Sequence, residues 1–338
     1  MGEAQTLAMS KRAPGVDASP ASNRQDQKAR LGVAKPRVAI IILNLNSYEV
    51  TRECLLSLRS IDYENFEILL VDNGSRDGSG EKLAADFPEV KLIRSDGNLG
   101  FPGGNNLAIR ESLAGSADYL LLLNNDTVVA PDFLSHLVNV AESNPAIGIV
   151  DPKILYFEPG DRIWYAGGDY RPGRGLATTR GVHQRDSKKY DTTEEVSFAT
   201  GCAFLIKTNV VRQIGLLDEV FFLGFEDLDW CIRARAAGFM IYYAPAARVW
   251  HKDSYDTKKN WGKPVKDFYS TRNRILLARK YLQIQHWPLF VVSLAGYIVY
   301  RSGGYVLRRE PKRIAGLLRG VWAGISSPLH SAPANLRR

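Results

Sequence analysis

The sequence predicts an α/β fold in which helices flank a central sheet and a helical extension follows. Three observations support it. Continuous apolar runs rich in β-branched residues alternate with segments of helical period, polar clusters follow the predicted strands, and the last part of the chain mixes apolar runs with arginines. Strands and helices that alternate at this spacing are typical of right-handed βαβ units and a parallel sheet.

The predicted elements follow one another closely from residue 37 onward. Strands are predicted at 37–44, 66–72, 90–94 and 119–123, and helices at 48–60, 79–87, 105–113 and 131–142. Further along, strands are predicted at 196–207 and 240–243, and a loop leading into a helix at 225–238. The region 151–197 has a weaker pattern, and we expect short antiparallel strands and loops there.

Composition narrows the class of protein. The chain has 338 residues, of which 45% are hydrophobic and 24% charged, which is ordinary for a globular protein. Its three cysteines (Cys54, Cys202 and Cys231) have no C-x-x-C spacing, which argues against a disulfide framework or a zinc knuckle. A reducing compartment is therefore expected.

Both ends of the chain differ from its middle. Residues 1–36 show no period and are predicted to be disordered, without the apolar region of a secretory signal. Residues 256–338 are predicted to form basic amphipathic helices, and the apolar run 287–300 ends at Arg301, short of the ~20 residues of a spanning helix. We expect this region to bind an anionic membrane surface. The alternative is an extension packed on the preceding α/β domain, predicted at 37–255.

Polar clusters follow four predicted strands, at 44–47, 72–79, 98–106 and 124–126. In open α/β sheets ligands bind beyond the carboxyl ends of the strands, so these clusters are expected to form a site. Asp72 could accept the ring N–H of a pyrimidine base, although D-N-G-S is also good turn chemistry. Asp126 could hold a divalent cation, although it could also cap a helix. The glycine-rich cluster is not G-x-G-x-x-G, which disfavours a dinucleotide cofactor.

A fifth cluster combines acids with aromatic side chains. Glu226, Asp227 and Asp229 stand beside Trp230, and burial of such acids would raise their pKa toward that of a general base. Acids at a helix start, favoured by the helix dipole, are the alternative. His251 follows a strand-like segment, and a lone histidine is more often structural than a ligand.

Taken together, these motifs resemble glycosyltransferase family 2, in its rhamnosyltransferase-like branch. The matching pieces are IILNLNS, ILLVDNGSRDGS, NLGFPGGNN, LLLNNDTVV, FFLGFEDLDWCIRARAAGF and VWHK, in the family's order from about residue 38 to 251. A Y-x-x-R-N stretch at 269–273 also looks like one that follows the catalytic domain in this branch. The metal motif D-x-D is reduced here to N-N-D.

The resemblance implies a GT-A fold, a Rossmann-like mixed sheet flanked by helices, and inversion at the anomeric carbon. It implies that Glu226 and Asp227 are the catalytic pair, with Asp227 as the base, and that Asp126 and His251 hold Mg²⁺ or Mn²⁺. We further predict that Glu226, Asp229 and Trp230 contact the acceptor. The residues predicted to bind the nucleotide sugar are Asn44, Asn46, Asp72, Asn98, Gly100, Gly104, Asn105 and Asn125.

The predicted function is transfer of a sugar, with rhamnose from dTDP-rhamnose favoured, to a lipid-linked or polysaccharide acceptor in cell-wall or surface-glycan synthesis. The expected location is cytoplasmic, at the inner face of the plasma membrane. Another UDP- or dTDP-sugar, or a non-catalytic nucleotide-sugar-binding protein, is the alternative. An oxidoreductase should carry G-x-G-x-x-G after the first strand, where this sequence has N-L-N-S. A processive synthase should carry Q-x-x-R-W and several spanning helices, and neither is found in this sequence. No nucleic acid is expected, because the basic residues lack interleaved aromatic residues.

Overall fold

A ten-stranded sheet forms the centre of the molecule, and helices cover both of its faces. The structure is a computed structural model that describes residues 34–252 and 262–329. The strands are β1 (Val38–Asn44), β2 (Phe66–Asp72), β3 (Val90–Arg94), β4 (Tyr119–Asn124), β5 (Thr127–Val129), β6 (Ile147–Tyr156), β7 (Ile163–Tyr165), β8 (Gly168–Arg171), β9 (Leu176–Thr179), β10 (Glu194–Val196), β11 (Ala203–Lys207) and β12 (Met240–His251). The strands β8 and β9 form a separate hairpin.

Nine α-helices are found within these described residues. They are α1 (Tyr48–Leu58), α2 (Ser79–Asp86), α3 (Gly100–Ala114), α4 (Phe133–Ser143), α5 (Thr208–Ile214), α6 (Glu226–Ala236), α7 (Gly262–Tyr281), α8 (Trp287–Leu307) and α9 (Pro311–Ser326). Residues 1–33 of the predicted N-terminal segment lie outside the described residues, and so does the boundary predicted at 255. Both stay predictions.

The sheet is mixed, as the sequence analysis predicted. Its main order is β10-β12-β6-β11-β4-β1-β2-β3, and the four strands β4, β1, β2 and β3 run parallel. The strand β11 runs antiparallel to both of its neighbours, whereas β12 runs parallel to β6. The first five residues of β1 are completely buried, because helices cover both faces of this part of the sheet.

Two predicted boundaries differ from the structure in ways that shape the site. The helix α3 begins at Gly100, five residues before its predicted start, so the glycine-rich cluster forms its first turn rather than a loop. Proline is tolerated there, because the first helical N–H groups have no partner within the helix. The strand predicted at 196–207 is divided into β10 and β11 by a turn at 200–202, and this turn faces the same edge of the sheet.

The strand β12 continues eight residues beyond its predicted end at Tyr243. Its register with β6 shifts between Ala244 and Arg248, and the strand then continues to His251. A bulge of this kind inserts extra residues and re-aims the strand. As a result, His251 lies opposite Thr127 of β5.

The helices α7 and α9 pack together along a row of glycines. A Cβ atom at Gly316, Gly320 or Gly324 would lie within 3 Å of α7, at 2.5 Å from the Pro264 carbonyl oxygen in the first case. These glycines recur every four residues and therefore share one face of α9. The close approach of the two backbones requires glycine at each position.

The helix α8 continues past Arg301, where the sequence analysis expected the apolar run to end. The Arg301 guanidinium donates to Asp267 of α7 at 3.0 Å, so its charge is paired rather than a barrier to the helix. Within the described residues, one helical segment, Ile284–Leu307, is long enough and apolar enough to cross a membrane, judged by length and composition only. Only 11% of its apolar window is buried in the protein.

Candidate functional site

The strand ends identified in the sequence meet at one edge of the sheet. Asn44 at the end of β1 lies beside Asp72 at the end of β2, and His251 at the end of β12 lies opposite Thr127. Two adjoining cavities open at this edge, and Asn98 lines both. We call them the Asp72 cavity and the Asp126 cavity.

The Asp72 cavity lies at the ends of β2 and β3 and is mostly polar. Its lining residues are Leu45, Asn46, Asp72, Gly74, Ser75, Arg76, Arg94, Ser95, Asp96, Gly97 and Asn98. The Asp72 side chain is only 2% exposed and accepts a hydrogen bond from the Ser75 N–H at 3.2 Å. A Cβ atom at Gly80 would lie 2.5 Å from its second oxygen, so glycine there leaves room for the carboxylate.

Asn46 is held in place by the neighbouring loop. Its backbone has φ 52°, in the left-handed region that asparagine tolerates better than most residues. Its side-chain oxygen accepts a hydrogen bond from the Arg76 N–H at 2.8 Å. Asn46 and Asp72 therefore line one cavity from two different strand ends.

Three residues predicted to bind the nucleotide sugar line neither cavity. Asn44 is fully buried and donates to the Ser79 hydroxyl at 2.9 Å. Asn105 donates to the Phe101 carbonyl at 2.8 Å, and a Cβ atom at Gly104 would lie 2.5 Å from a side chain of β1. These residues face the interior. Asn44 stabilises the loop after β2, and Gly104 and Asn105 stabilise α3 and its packing against β1.

The Asp126 cavity brings residues from distant parts of the chain together. Its lining residues are Leu43, Leu45, Asn73, Asn98, Gly100, Phe101, Asn124, Asn125, Asp126, Trp164, Thr200, Gly201, Cys202, Phe222, Leu223, Gly224, Glu226, Asp227 and His251. Asp126 and His251 are both buried, and the His251 Nε2 atom lies 3.1 Å from an Asp126 carboxylate oxygen. The Trp164 and His251 rings pack in a T-shaped arrangement, with 4.6 Å between their centroids.

The lining of this cavity is rich in acidic side chains. Three carboxylates (Asp126, Glu226 and Asp227) face the Asp126 cavity, and no lysine or arginine is among the described residues that line it. No group of three or more His, Cys, Asp or Glu side chains within 34–252 and 262–329 is arranged to hold a metal by itself. A carboxylate and an imidazole in contact nevertheless match the oxygen and nitrogen ligands of divalent cations.

Glu226 and Asp227 begin α6 and enter the cavity side by side. The Asp227 carboxylate accepts hydrogen bonds from the Gly201 N–H at 3.0 Å and the Leu228 N–H at 2.7 Å. Burial raises the pKa of Asp227 above its ordinary value, although the Gly201 N–H partly opposes the shift. Burial, and after it the charge of Asp227, raises the pKa of Glu226 well above its ordinary value. The pair therefore holds a proton more tightly than exposed carboxylates do.

Asp229 and Trp230, predicted to contact an acceptor, do not line the Asp126 cavity. Asp229 is completely buried and bonds to Arg233 at 2.8 Å, Lys280 at 2.6 Å and the Tyr281 hydroxyl at 2.6 Å. The Trp230 indole is buried and donates to a backbone carbonyl. A helix turns its side chains through about 100° per residue, so only part of an acidic cluster faces one site.

Several lining residues were not singled out from the sequence. Thr200, Gly201 and Cys202 form the turn before β11, and the glycine in an otherwise apolar stretch was the signal for that turn. Trp164 carries no comparable signal, because only the folded chain brings it to the cavity, whereas Phe222 belongs to the matching piece FFLGFEDLDWCIRARAAGF.

The sequence model of one family, Glycosyl transferase family 2, matches residues 39–215, which is more than half of the chain. The chain belongs to glycosyl transferase family 2. The matched region contains Asp72 and Asp126, whereas α6 and His251 follow it. This glycosyltransferase therefore carries part of its cavity lining beyond the residues that the family model describes.

Curated relatives assign the family 2 enzyme to the rhamnosyltransferase-like branch. It is 25% identical over 294 residues to N-acetylglucosaminyl-diphospho-decaprenol L-rhamnosyltransferase of Mycobacterium tuberculosis, covering 79% of this chain and 92% of that protein. It is 25% identical to dTDP-rhamnosyl transferase RfbF of Shigella flexneri, covering 68% of this chain and 74% of that protein. It is also 31% identical to the uncharacterized protein y4gI of Sinorhizobium fredii, of which it spans only 25%.

Solved structures agree with the GT-A fold. Staphylococcus aureus TarS 1-349, in complex with UDP-GlcNAc, superposes with a TM-score of 0.56 at 15% identity, covering 85% of this chain and 81% of that one. Mannosyltransferase PcManGT from Pyrobaculum calidifontis, in complex with GDP-Man and Mn²⁺, gives 0.53 at 14% identity and covers 90% and 95%. At such identities the likeness concerns the fold of the glycosyltransferase alone.

Proposed function

We propose that this glycosyltransferase moves rhamnose from dTDP-rhamnose to a polyprenyl-diphosphate-linked saccharide, with inversion at the anomeric carbon. The observation that carries the proposal is the position of the carboxylates Asp126, Glu226 and Asp227 in one cavity, next to a second cavity whose floor is Asp72. A nucleotide sugar bound across both cavities would then meet three acids in turn. Asp72 would bind its nucleobase, Asp126 the cation at its diphosphate, and Asp227 would accept the proton of the acceptor hydroxyl.

In the proposed reaction the acceptor hydroxyl attacks the anomeric carbon while Asp227 takes its proton. A glycosidic C–O bond forms as the bond to the diphosphate oxygen breaks, and its electron pair leaves with the nucleoside diphosphate. Asp227 suits this role because two backbone N–H groups orient its carboxylate while burial raises its pKa. Glu226, adjacent to it, would orient the acceptor hydroxyl.

The opposite part of the cavity suits the leaving diphosphate. Asp126 and His251 would hold Mg²⁺ or Mn²⁺, which would supply positive charge to the diphosphate oxygens. The described lining of this cavity contains no lysine or arginine that could pair with a diphosphate. A cation would therefore supply the positive charge that the leaving group needs beside Asp126. Asn98 and Gly100 border the same space, and Asn46 with Asp72 would hold the pyrimidine base.

The named relatives support the choice of donor and acceptor. The Mycobacterium tuberculosis relative is named for a decaprenol-linked acceptor and L-rhamnose, and the Shigella flexneri relative for dTDP-rhamnose. Such acceptors belong to cell-wall and surface-glycan synthesis, where we place this enzyme.

A donor panel tests the proposal. The enzyme, with Mn²⁺ and an N-acetylglucosaminyl-diphospho-polyprenol acceptor, is incubated with dTDP-rhamnose, UDP-GlcNAc, UDP-glucose or GDP-mannose, and release of the nucleoside diphosphate is measured. We expect turnover with dTDP-rhamnose. Turnover with another donor only would overturn the choice of sugar, and nucleotide binding without any turnover would indicate a non-catalytic binding protein.

The pH dependence of turnover should report the carboxylate pair. Because Asp227 must be ionised to accept a proton and its pKa is raised, we expect kcat/KM to rise with pH through an apparent pKa above the ~4 of an exposed aspartate. The same shift lowers stability as pH rises through that interval, because the folded state binds the proton more tightly. Rate and chemical unfolding measured from acid to neutral pH check both signs, and kcat/KM that is flat down to about pH 4 would contradict the assignment.

We also propose that the enzyme lies on the cytoplasmic surface of an anionic membrane through α8 and α9. Large apolar side chains are exposed along both helices, namely Leu289, Val291, Val292, Val299, Tyr300, Val306, Leu307, Leu318, Trp322 and Ile325. Arg308, Arg309, Lys312 and Arg319 are exposed beside them. Apolar side chains flanked by basic ones favour the interface of an anionic bilayer, where a lipid-linked acceptor would also lie.

Vesicle binding checks this surface. We expect the protein to sediment with phosphatidylglycerol-containing vesicles. The double variant Val292→Asp with Val299→Asp should weaken the partition about 10²-fold, since each buried valine contributes about 1.5 kcal/mol. Both side chains are at least 70% exposed, so folding should be unaffected. Leu56→Asp, on α1 and 38% exposed, is the control. Equal binding by the double variant, or none by the wild type, would contradict the proposal.

A further inference from the structure

The loop before α6 has an unusual backbone conformation, which contacts from other parts of the protein must stabilise. Phe222 has φ 58°, Gly224 φ 78° and Phe225 φ 78°, immediately before Glu226 and Asp227. Left-handed conformations are costly for residues with a side chain, and they persist only where the surroundings determine them. The position of the carboxylate pair therefore depends on whatever fixes this loop.

One side chain of the C-terminal helices donates several hydrogen bonds to this loop. Asn273 of α7 is completely buried, and its amide nitrogen donates to the carbonyls of Phe221 at 2.7 Å, Leu223 at 3.0 Å and Gly224 at 2.8 Å. An amide nitrogen has two N–H groups, so three carbonyls share them. The loop carbonyls thus converge on a single donor.

Two other residues of α7, Arg272 and Tyr269, also contact the loop. Arg272 donates to the Val220 carbonyl at 2.7 Å and to the Asn273 side-chain oxygen at 2.9 Å, which orients the amide. The Tyr269 ring stacks on Phe222, with centroids 5.2 Å apart and an angle of 18° between the planes. These are the polar and aromatic residues of the Y-x-x-R-N stretch, which the proposed chemistry does not use.

The loop at 220–225 also contacts α3 on the donor side of the cavity. The Phe222 carbonyl accepts a hydrogen bond from the Phe101 N–H at 2.8 Å, in the first turn of α3. A Cβ atom at Gly100 would lie 2.3 Å from that carbonyl oxygen, so the loop and the helix are in close contact. A displaced loop would therefore move both the carboxylate pair and the start of α3.

We propose that Asn273, oriented by Arg272, is a positioning residue that holds Glu226 and Asp227 in their reactive geometry from the C-terminal helices. The inference rests on the proposed role of Asp227 as base. It also means that the region carrying the exposed apolar surface is connected to the site through α7. Asn273 lines neither the Asp72 cavity nor the Asp126 cavity, and it acts through the loop at 220–225.

Hydrogen exchange and kinetics test this role with a matched control. In Asn273→Ala, we expect faster amide exchange at 219–228 and a kcat lower by about 10²-fold, because small misplacements of reacting groups are costly. Nucleotide affinity should fall by much less than kcat, since no residue of the loop at 220–225 lines the Asp72 cavity that would hold the base. Arg272→Ala, which keeps the Asn273 amide, should shift both quantities in the same direction by less.

The control is Arg279→Ala on the same helix. Arg279 also donates to two backbone carbonyls, of Gly324 and Ser327 at 2.8 Å each, but it does not contact the loop. We expect this variant to leave exchange at 219–228 and kcat unchanged. Unchanged exchange at 219–228 in both Asn273→Ala and Arg272→Ala would overturn the proposal, as would equal effects in Arg279→Ala. If exchange responds while Asp227→Asn retains its activity, the positioning contact stands and the assignment of the base fails.

Discussion

Asp227→Asn is expected to lower kcat by about 10²- to 10⁴-fold, the usual contribution of a general base. The amide has the shape of the carboxylate and can still accept from the Gly201 N–H with its oxygen, but it cannot take the proton of the acceptor hydroxyl. Folding and nucleotide affinity should be preserved, because Asp72 lies in the neighbouring cavity. Steady-state kinetics together with calorimetric titration of the nucleoside diphosphate measure the two effects separately.

Glu226→Gln is the matched comparison for this variant. It removes the adjacent buried carboxyl while leaving Asp227 as the proton acceptor, so the loss of kcat should be much smaller. A near-normal kcat in Asp227→Asn with a large loss in Glu226→Gln would transfer the role of base to Glu226. Near-normal rates in both variants would contradict a carboxylate base in this cavity.

Asp126→Ala is the second variant with a large expected effect. It removes the carboxylate that contacts His251 and would bind the cation, so the enhancement of nucleoside diphosphate binding by Mn²⁺ should be lost. We expect the rate at saturating donor to fall by about 10²-fold or more, because a bound cation contributes several kcal/mol of charge stabilisation. Titration of dTDP with and without Mn²⁺ measures the loss directly.

Asp132→Ala is the control for charge alone. Asp132 follows the same strand region, but its side chain is 55% exposed and pairs with His136 at the start of α4. Its removal should leave the effect of Mn²⁺ on binding intact. An intact Mn²⁺ effect in Asp126→Ala would show that Asp126 does not bind the cation.

Much of the candidate site could be predicted from local pattern. Asp72 and Asp126 each follow a run of buried apolar residues, so the end of a strand and the acid at that end could be read together. Glu226 and Asp227 stand at a helix start beside aromatic residues. In each case the informative residues are close in sequence, and parallel strands bring their ends to one edge of the sheet.

Other site residues could not be assigned because residue type does not determine the direction of a side chain. Asn44 and Asp229 have the same chemistry as their cavity-lining neighbours, yet both point into the interior and bond to other side chains. Gly104 is predicted from the sequence to bind the nucleotide sugar, whereas in the structure it allows close packing of α3 against β1. Such choices depend on which elements pack against a residue.

The sequence by itself determined the α/β class, the parallel half of the sheet and the acids at its strand ends, because apolar period and strand-end chemistry are local properties. Only the tertiary structure decided that β12 extends to bring His251 to Asp126, and that Asn273 of α7 holds the loop before α6. These contacts join residues 125 and about 50 positions apart along the chain. No local pattern encodes them, because they arise when separate elements pack and satisfy each other's buried polar groups.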